Sequence, residues 1–174
     1  MRVGLAAVAA LWLLASGARG QTPVPTPPAA APAPVDEASF TWQQPSQADG
    51  ILLYWSKVQG SDLVAFKGEG IVDAPLDKVA TIIADTSRGT EWIDGLVKSQ
   101  VVDRASDTDF VEYDHQGVPF PFDQLISDRD FVSRVTLTAD PNVHGLTIRY
   151  VSVQDPAAPP PGKCVRGELR YCVF

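Results

Sequence analysis

The side chains able to do acid–base, metal or redox chemistry are few in this chain of 174 residues, and they are scattered. His115 and His144 are its two histidines, and neither belongs to a His, Cys, Asp and Glu set at metal-ligand spacing, so no zinc or iron site is expected. His115, at the exposed end of a strand, could in principle serve as a base, but such a histidine is more commonly ordinary surface. No Ser stands between two Gly at nucleophile-elbow spacing, and no catalytic residue is expected. Gly68-Glu69-Gly70 lacks the third Gly of a dinucleotide loop and runs on into more strand. It reads as a flexible point in a bent strand, and no cofactor is expected. Cys164 and Cys172 suit a disulfide only if the chain reverses near Gly167: on one continuous strand they would stand roughly 26 Å apart at about 3.3 Å per residue. A disulfide spans about 4.4–6.8 Å between Cα atoms.

The elements that position these residues are mostly strands. A helical or irregular lead-in over residues 39–47 precedes Gly50, which opens the strand Ile51–Ser56. Gly60-Ser61-Asp62 turns the chain into a second strand, Leu63–Val72. At Asp73-Ala74-Pro75 the period changes. Pro is favoured in the first turn of a helix, and Leu76, Val79, Ile82 and Ile83 recur at three- and four-residue steps, which predicts an amphipathic helix over Leu76–Ala84 and a further short turn near Glu91-Trp92-Ile93. After Gly95 the pattern is strand-like throughout: Leu96–Val102, Asp109–His115, Arg129–Thr138, Leu146–Gln154 and Cys164–Phe174, separated by Asp- and Pro-rich turns. Strands, a helix pair and a long run of antiparallel strands make an α+β fold with a curved sheet that needs something apolar to wrap around.

The N-terminus reads differently. Arg2 precedes the apolar run Val3–Ala15, which is short for a bilayer span, and Ala18-Arg19-Gly20 offers small-x-small cleavage. Residues 1–20 are therefore expected to be a signal peptide, with an uncleaved anchor as the alternative, and the protein to be exported, periplasmic or secreted. Residues 21–38 are dominated by Pro and Ala and read as a disordered, extended linker. Residues 39–174 are the folded domain, too short for a TIM barrel or a two-domain enzyme. Without Arg2 and Arg19 the chain has 14 − 2 = 12 basic against 21 acidic residues, a charge of −9. The basic residues are scattered, so nucleic acid is not an expected partner.

Several motifs in order carry a resemblance: Gly60-Ser61-Asp62-Leu63, Phe66-Lys67-Gly68-Glu69-Gly70, Asp73-Ala74-Pro75-Leu76-Asp77-Lys78-Val79, Glu91-Trp92, Arg129-Asp130-Phe131-Val132 and Val165-Arg166-Gly167-Glu168. Over about residues 40–172 the chain resembles the START (StAR-related lipid-transfer) domain family. The resemblance implies a helix-grip fold, in which a curved antiparallel sheet closes over a hydrophobic cavity for one lipid of the sterol or phospholipid class. It also implies further strands and a closing C-terminal helix after the Val-Arg-Gly-Glu strand. The sequence stops at Phe174, so an incomplete domain is expected.

Within that frame, periodicity places Ile82, Trp92, Phe131, Val135 and Leu146 on the faces expected to line the cavity. Asp114 falls where sterol-carrying members have a buried carboxylate. The Arg associated with it in the family corresponds to Val135 here, and the neighbouring Arg134 should face the other way. Asp114 is accordingly either a ligand contact or a solvated strand-end carboxylate. Phe120 and Phe122, on the Pro-stiffened loop Val118-Pro119-Phe120-Pro121-Phe122, either gate the cavity and touch a membrane transiently, or fold into the core. Arg129, Asp130 and Arg166 read as structural charges that pair across strands. Non-enzymatic lipid binding or transfer is the expected function. A cyclase- or hydrolase-like relative would need Asp114 or His115 to project into the cavity, and a fragment without autonomous function is the third alternative.

Overall fold

A computed structural model describes residues 3–9, 35, 37–43 and 45–174. The cleavage site at residues 18–20 and most of the linker lie outside the described residues. Ten strands form one sheet: β1 (Val3–Ala9), β2 (Ser46–Ala48), β3 (Ile51–Lys57), β4 (Val64–Val72), β5 (Leu96–Ser106), β6 (Asp109–Gln116), β7 (Arg129–Asp140), β8 (Gly145–Ser152), β9 (Val165–Arg166) and β10 (Cys172–Val173). Their order is β2-β3-β4-β1-β10-β8-β7-β6-β5, with β9 beside β7. Asp49 and Gly50, both at positive φ, form the tight turn that joins β2 to β3. The expected lead-in therefore contains a strand, because Ser46–Ala48 finds a ladder on Leu53–Ile51.

Helix α1 (Leu76–Ala84) begins after Pro75, at φ −62°, with Asp77 in its first turn where an acidic side chain favours the helix dipole. A single 3-10 turn (Thr86–Arg88) leads into α2 (Gly89–Trp92). Ile83 of α1 packs on the core formed by Phe110, Val135 and Ile148, joined by Val101, Leu137, Leu146, Tyr150 and Phe174. Each of the three buried side chains contributes about 1.5–3 kcal/mol relative to exposure.

The register carries one side-chain face across the whole sheet. Trp55 pairs with Phe66, Phe66 with Ala9, Ala9 with Cys172, Cys172 with Tyr150, Tyr150 with Val135 and Val135 with Phe110. Side chains at directly paired positions point to the same face, so the core cluster and the Trp55–Phe66 pair belong to one inner surface. Over β6–β8 that surface is covered. Over β3 and β4 it is open: Leu53, Trp55 and Phe66 are 44%, 42% and 56% exposed.

The C-terminal stretch departs from the expected single strand Cys164–Phe174. It makes two short strands on different partners, β9 parallel to β7 and β10 antiparallel to β8. Between them Gly167 lies against Phe131, whose Cε1 would stand 2.2 Å from a Cβ at that position. Both short strands run in the direction of β7, so the chain does not reverse at Gly167, and Cys164 and Cys172 are both free thiols.

Candidate functional site

Strand β6 places Phe110, Glu112 and Asp114 on the inner face at two-residue steps, opposite Val135, Ser133 and Phe131 of β7. Phe110 and Val135 close the apolar core. One step along, about 6.6 Å on, the surface turns polar. Glu112, 8% exposed, accepts a hydrogen bond from Ser99 Oγ at 2.8 Å and another from Thr86 Oγ1 at 3.0 Å. Ser133 is fully buried, and its Oγ has no hydrogen-bond partner; neither does the buried Oδ1 of Asp114. No Lys or Arg among the described residues forms an ion pair with Glu112 or Asp114.

Burial, and then the charge of Glu112, pushes the Asp114 carboxyl from the ordinary carboxylate range up to about 8. The buried Cys172 thiol is raised to about 12, by burial first and by the charge of Asp114 second. Tyr150 is raised as well, again chiefly by burial. Asp114 thus stands half-buried on the inner face beside Glu112, with its carboxyl shifted toward the neutral acid.

The remaining predicted positions divide by face and by element. Val135 is completely buried and Phe131 is 7% exposed, both on the inner face, while Leu146 is half-buried against the core. Ile82 is half-buried on α1, but Trp92 stands 43% exposed at the end of α2, because that helix is only four residues long. Arg134 faces outward and forms a bidentate ion pair with Asp109, with Nε 2.7 Å from Oδ1. On the outer face, Asp130 is fully buried, and Arg166 donates to both of its oxygens, at 2.8 and 3.0 Å, across β7 and β9. Arg129 instead donates to the Ser127 carbonyl.

His115 also points outward, half-buried, with Nε2 2.8 Å from Asp128 Oδ2. Asp128 accepts the Val118 N–H at 3.0 Å as well, and that bond, with His115, holds its carboxyl below the usual range. The two bonds fasten the base of the loop that follows. At its tip Phe120, Phe122 and Leu125 are 77%, 55% and 84% exposed, so the two phenylalanines are not folded into the core.

Glu112, Ser99, Thr86 and Ser133 were not singled out by the sequence patterns. Glu112 could have been, since it lies two residues from both Phe110 and Asp114 and must share their face. The hydroxyls depend on which strands become neighbours. Among the described residues, no group of three or more His, Cys, Asp or Glu is placed to hold a metal ion.

An open-edged curved sheet, short helices on its inner face and a wall that is apolar save for one acidic cluster define a small-ligand binding fold of the START type. The START domain model matches residues 35–173, and the chain belongs to that family. It is similar to the crystal structure of the STAR-related lipid transfer protein of Xanthomonas axonopodis, with 25% identity and a TM-score of 0.63 over 76% of this chain and 78% of that one. Two human structures share the fold. StAR-related lipid transfer protein 5 is 20% identical, with a TM-score of 0.59 over 79% of this chain and 71% of that one. The StarD13 (DLC2) lipid transfer and protein localization domain is 24% identical, with a TM-score of 0.59; the match covers 70% of this chain and 62% of that one. No curated protein matches the chain.

Proposed function

We propose that the protein is an exported, non-enzymatic lipid carrier that holds one lipid of the sterol or phospholipid class against the inner face of the sheet. One observation carries the reading: the inner face is a single apolar surface from Phe110 to Trp55, covered at one end and open at the other. Four strand-to-strand steps separate Val135 from Phe66. At about 4.8 Å each, they give roughly 19 Å of apolar wall, room for a long acyl chain or a ring system. The groove at the open end, bordered by Ile51, Leu53, Trp55, Phe66 and Val72, has a volume of about 780 Å³. That is the size of a small-molecule site.

Asp114 and His115 are consecutive on β6 and project to opposite faces, so the histidine stands apart from the inner-face carboxyls Glu112 and Asp114. The exposed tip of the Val118–Ser127 loop, with Phe120, Phe122 and Leu125 fastened through Asp128, serves transient contact with a membrane. A signal peptide at residues 1–20 would deliver the carrier to the periplasm or beyond.

Native mass spectrometry of the exported protein tests the reading. The expected spectrum shows one co-purifying lipid per chain. A protein that is uniformly lipid-free, and takes up none from vesicles, would overturn it.

A further inference from the structure

The polar cluster on the inner face narrows the ligand, and this step rests on the lipid-carrier reading above. Glu112 and Asp114 lie on one side of β6 with no cation paired to them among the described residues: Arg129, on the same face, donates to the Ser127 carbonyl, while Arg134 and Arg166 pair with Asp109 and Asp130 on the other face. Ser133, opposite Glu112, is fully buried with its Oγ unpartnered, and Asp114 Oδ1 is buried and unpartnered too. A protein seldom leaves such atoms without a partner, since each unsatisfied buried polar group destabilises the fold.

We infer that Glu112, Asp114 and Ser133 form the subsite for the polar end of the lipid, and that this end is a primary amine in its ammonium form. An ammonium brings three N–H donors and a positive charge. The cluster offers Asp114 Oδ1, Ser133 Oγ and the free lone pairs of Glu112 as acceptors, with the compensating negative charge. A neutral hydroxyl brings one donor and no charge, and a phosphate or carboxylate would stand against two carboxyl groups with nothing to neutralise it. The bound ammonium takes the place of the proton that Asp114 otherwise holds. The apolar tail then runs from the Phe110–Val135 pair toward Trp55.

The test is titration of the full chain with hexadecylamine, hexadecanol and palmitic acid, which share a tail and differ at the polar end. The amine should bind about tenfold or more tightly than the alcohol, as a charge-assisted bond exceeds a neutral one, with the acid weakest. Asp114→Asn should bring the amine to within about twofold of the alcohol, leaving the alcohol unchanged, and Ser133→Ala should weaken the amine by about threefold to tenfold without removing a charge. Equal affinity for amine and alcohol, or an amine preference that survives Asp114→Asn, overturns the assignment while lipid binding stands. If none of the three binds, the carrier reading fails and the subsite with it.

Discussion

The ion pair between Asp130 and Arg166 should be the most sensitive polar contact in the fold. Asp130 is completely buried, both of its oxygens accept from Arg166, and Arg166 also donates to the Pro159 carbonyl at 2.8 Å. Arg166→Met keeps the length and apolar stem of the side chain but leaves a carboxylate with no cation in a site that water does not reach. Breaking a buried pair in this way costs about 3–5 kcal/mol. The Arg166 side chain is 32% exposed, so part of its charge is already solvated, and the lower end, about 3 kcal/mol, applies here. With a urea slope of about 1.5 kcal/mol per molar, the unfolding midpoint should fall by about 2 M. Combining Arg166→Met with Asp130→Asn removes both charges, and the double variant should recover to within about 1 kcal/mol of the parent, which, with the Asp130→Asn single variant measured beside it, gives a coupling energy of about 2 kcal/mol or more. The assay is equilibrium urea unfolding followed by tryptophan fluorescence. A loss below about 0.5 kcal/mol in the single variant, or additive losses in the double, would refute the claim that this pair holds β9 to β7.

Asp114 should make stability fall as pH rises: its folded pKa lies above its unfolded value, so its contribution is complete below about pH 4 and is lost progressively up to about pH 8. Asp114→Asn should flatten that decline in thermal melts, and an unchanged slope would place Asp114 in solvent. Gly167→Ala should destabilise by about 1–3 kcal/mol in urea unfolding, because its Cβ would collide with the Phe131 ring. Phe120→Ser with Phe122→Ser should reduce co-sedimentation with zwitterionic vesicles while shifting the unfolding midpoint by no more than about 0.5 kcal/mol, as both rings are exposed. Removing residues 1–20 should speed amide exchange along Phe66–Val72, the stretch that pairs with Val3–Ala9, and equal protection with and without residues 1–20 would show that β4 has another partner.

The middle of the fold was legible because its signals are local. Pro75 with the Leu76, Val79, Ile82 and Ile83 spacing marked α1, and alternation marked β6, β7 and β8 almost to the residue. The face assignment of β7 followed from alternation alone, which separates Val135 from Arg134. Residues 164–174 were not legible. Their conformation is decided by which strand offers a free ladder, and β7 lends its first two residues to β9 while β8 lends Arg149 and Tyr150 to β10. The state of Asp114 was open for the same reason. Whether a carboxyl is neutral depends on Glu112, on the hydroxyls of other elements and on exclusion of water, none of which is a property of its own strand.

The strand Val3–Ala9 ties these threads together. Apolar and small residues that suit a leader also suit a central strand, and here the same seven residues pair along Phe66–Val72 on one side and with Cys172 and Val173 on the other. Among the described residues, β1 is what joins β2–β4 to the rest of the sheet. If export removes it, two strand edges face each other across about 9.6 Å, the span of two ladder steps. Unpaired edges at that spacing invite a strand, from the chain itself or from another copy. The open half of the inner face, with Trp55 and Phe66, lies on the far side of that gap from Val135 and Asp114. Continuity of the apolar wall therefore depends on the slot being filled, so strand insertion and lipid retention should be gained and lost together.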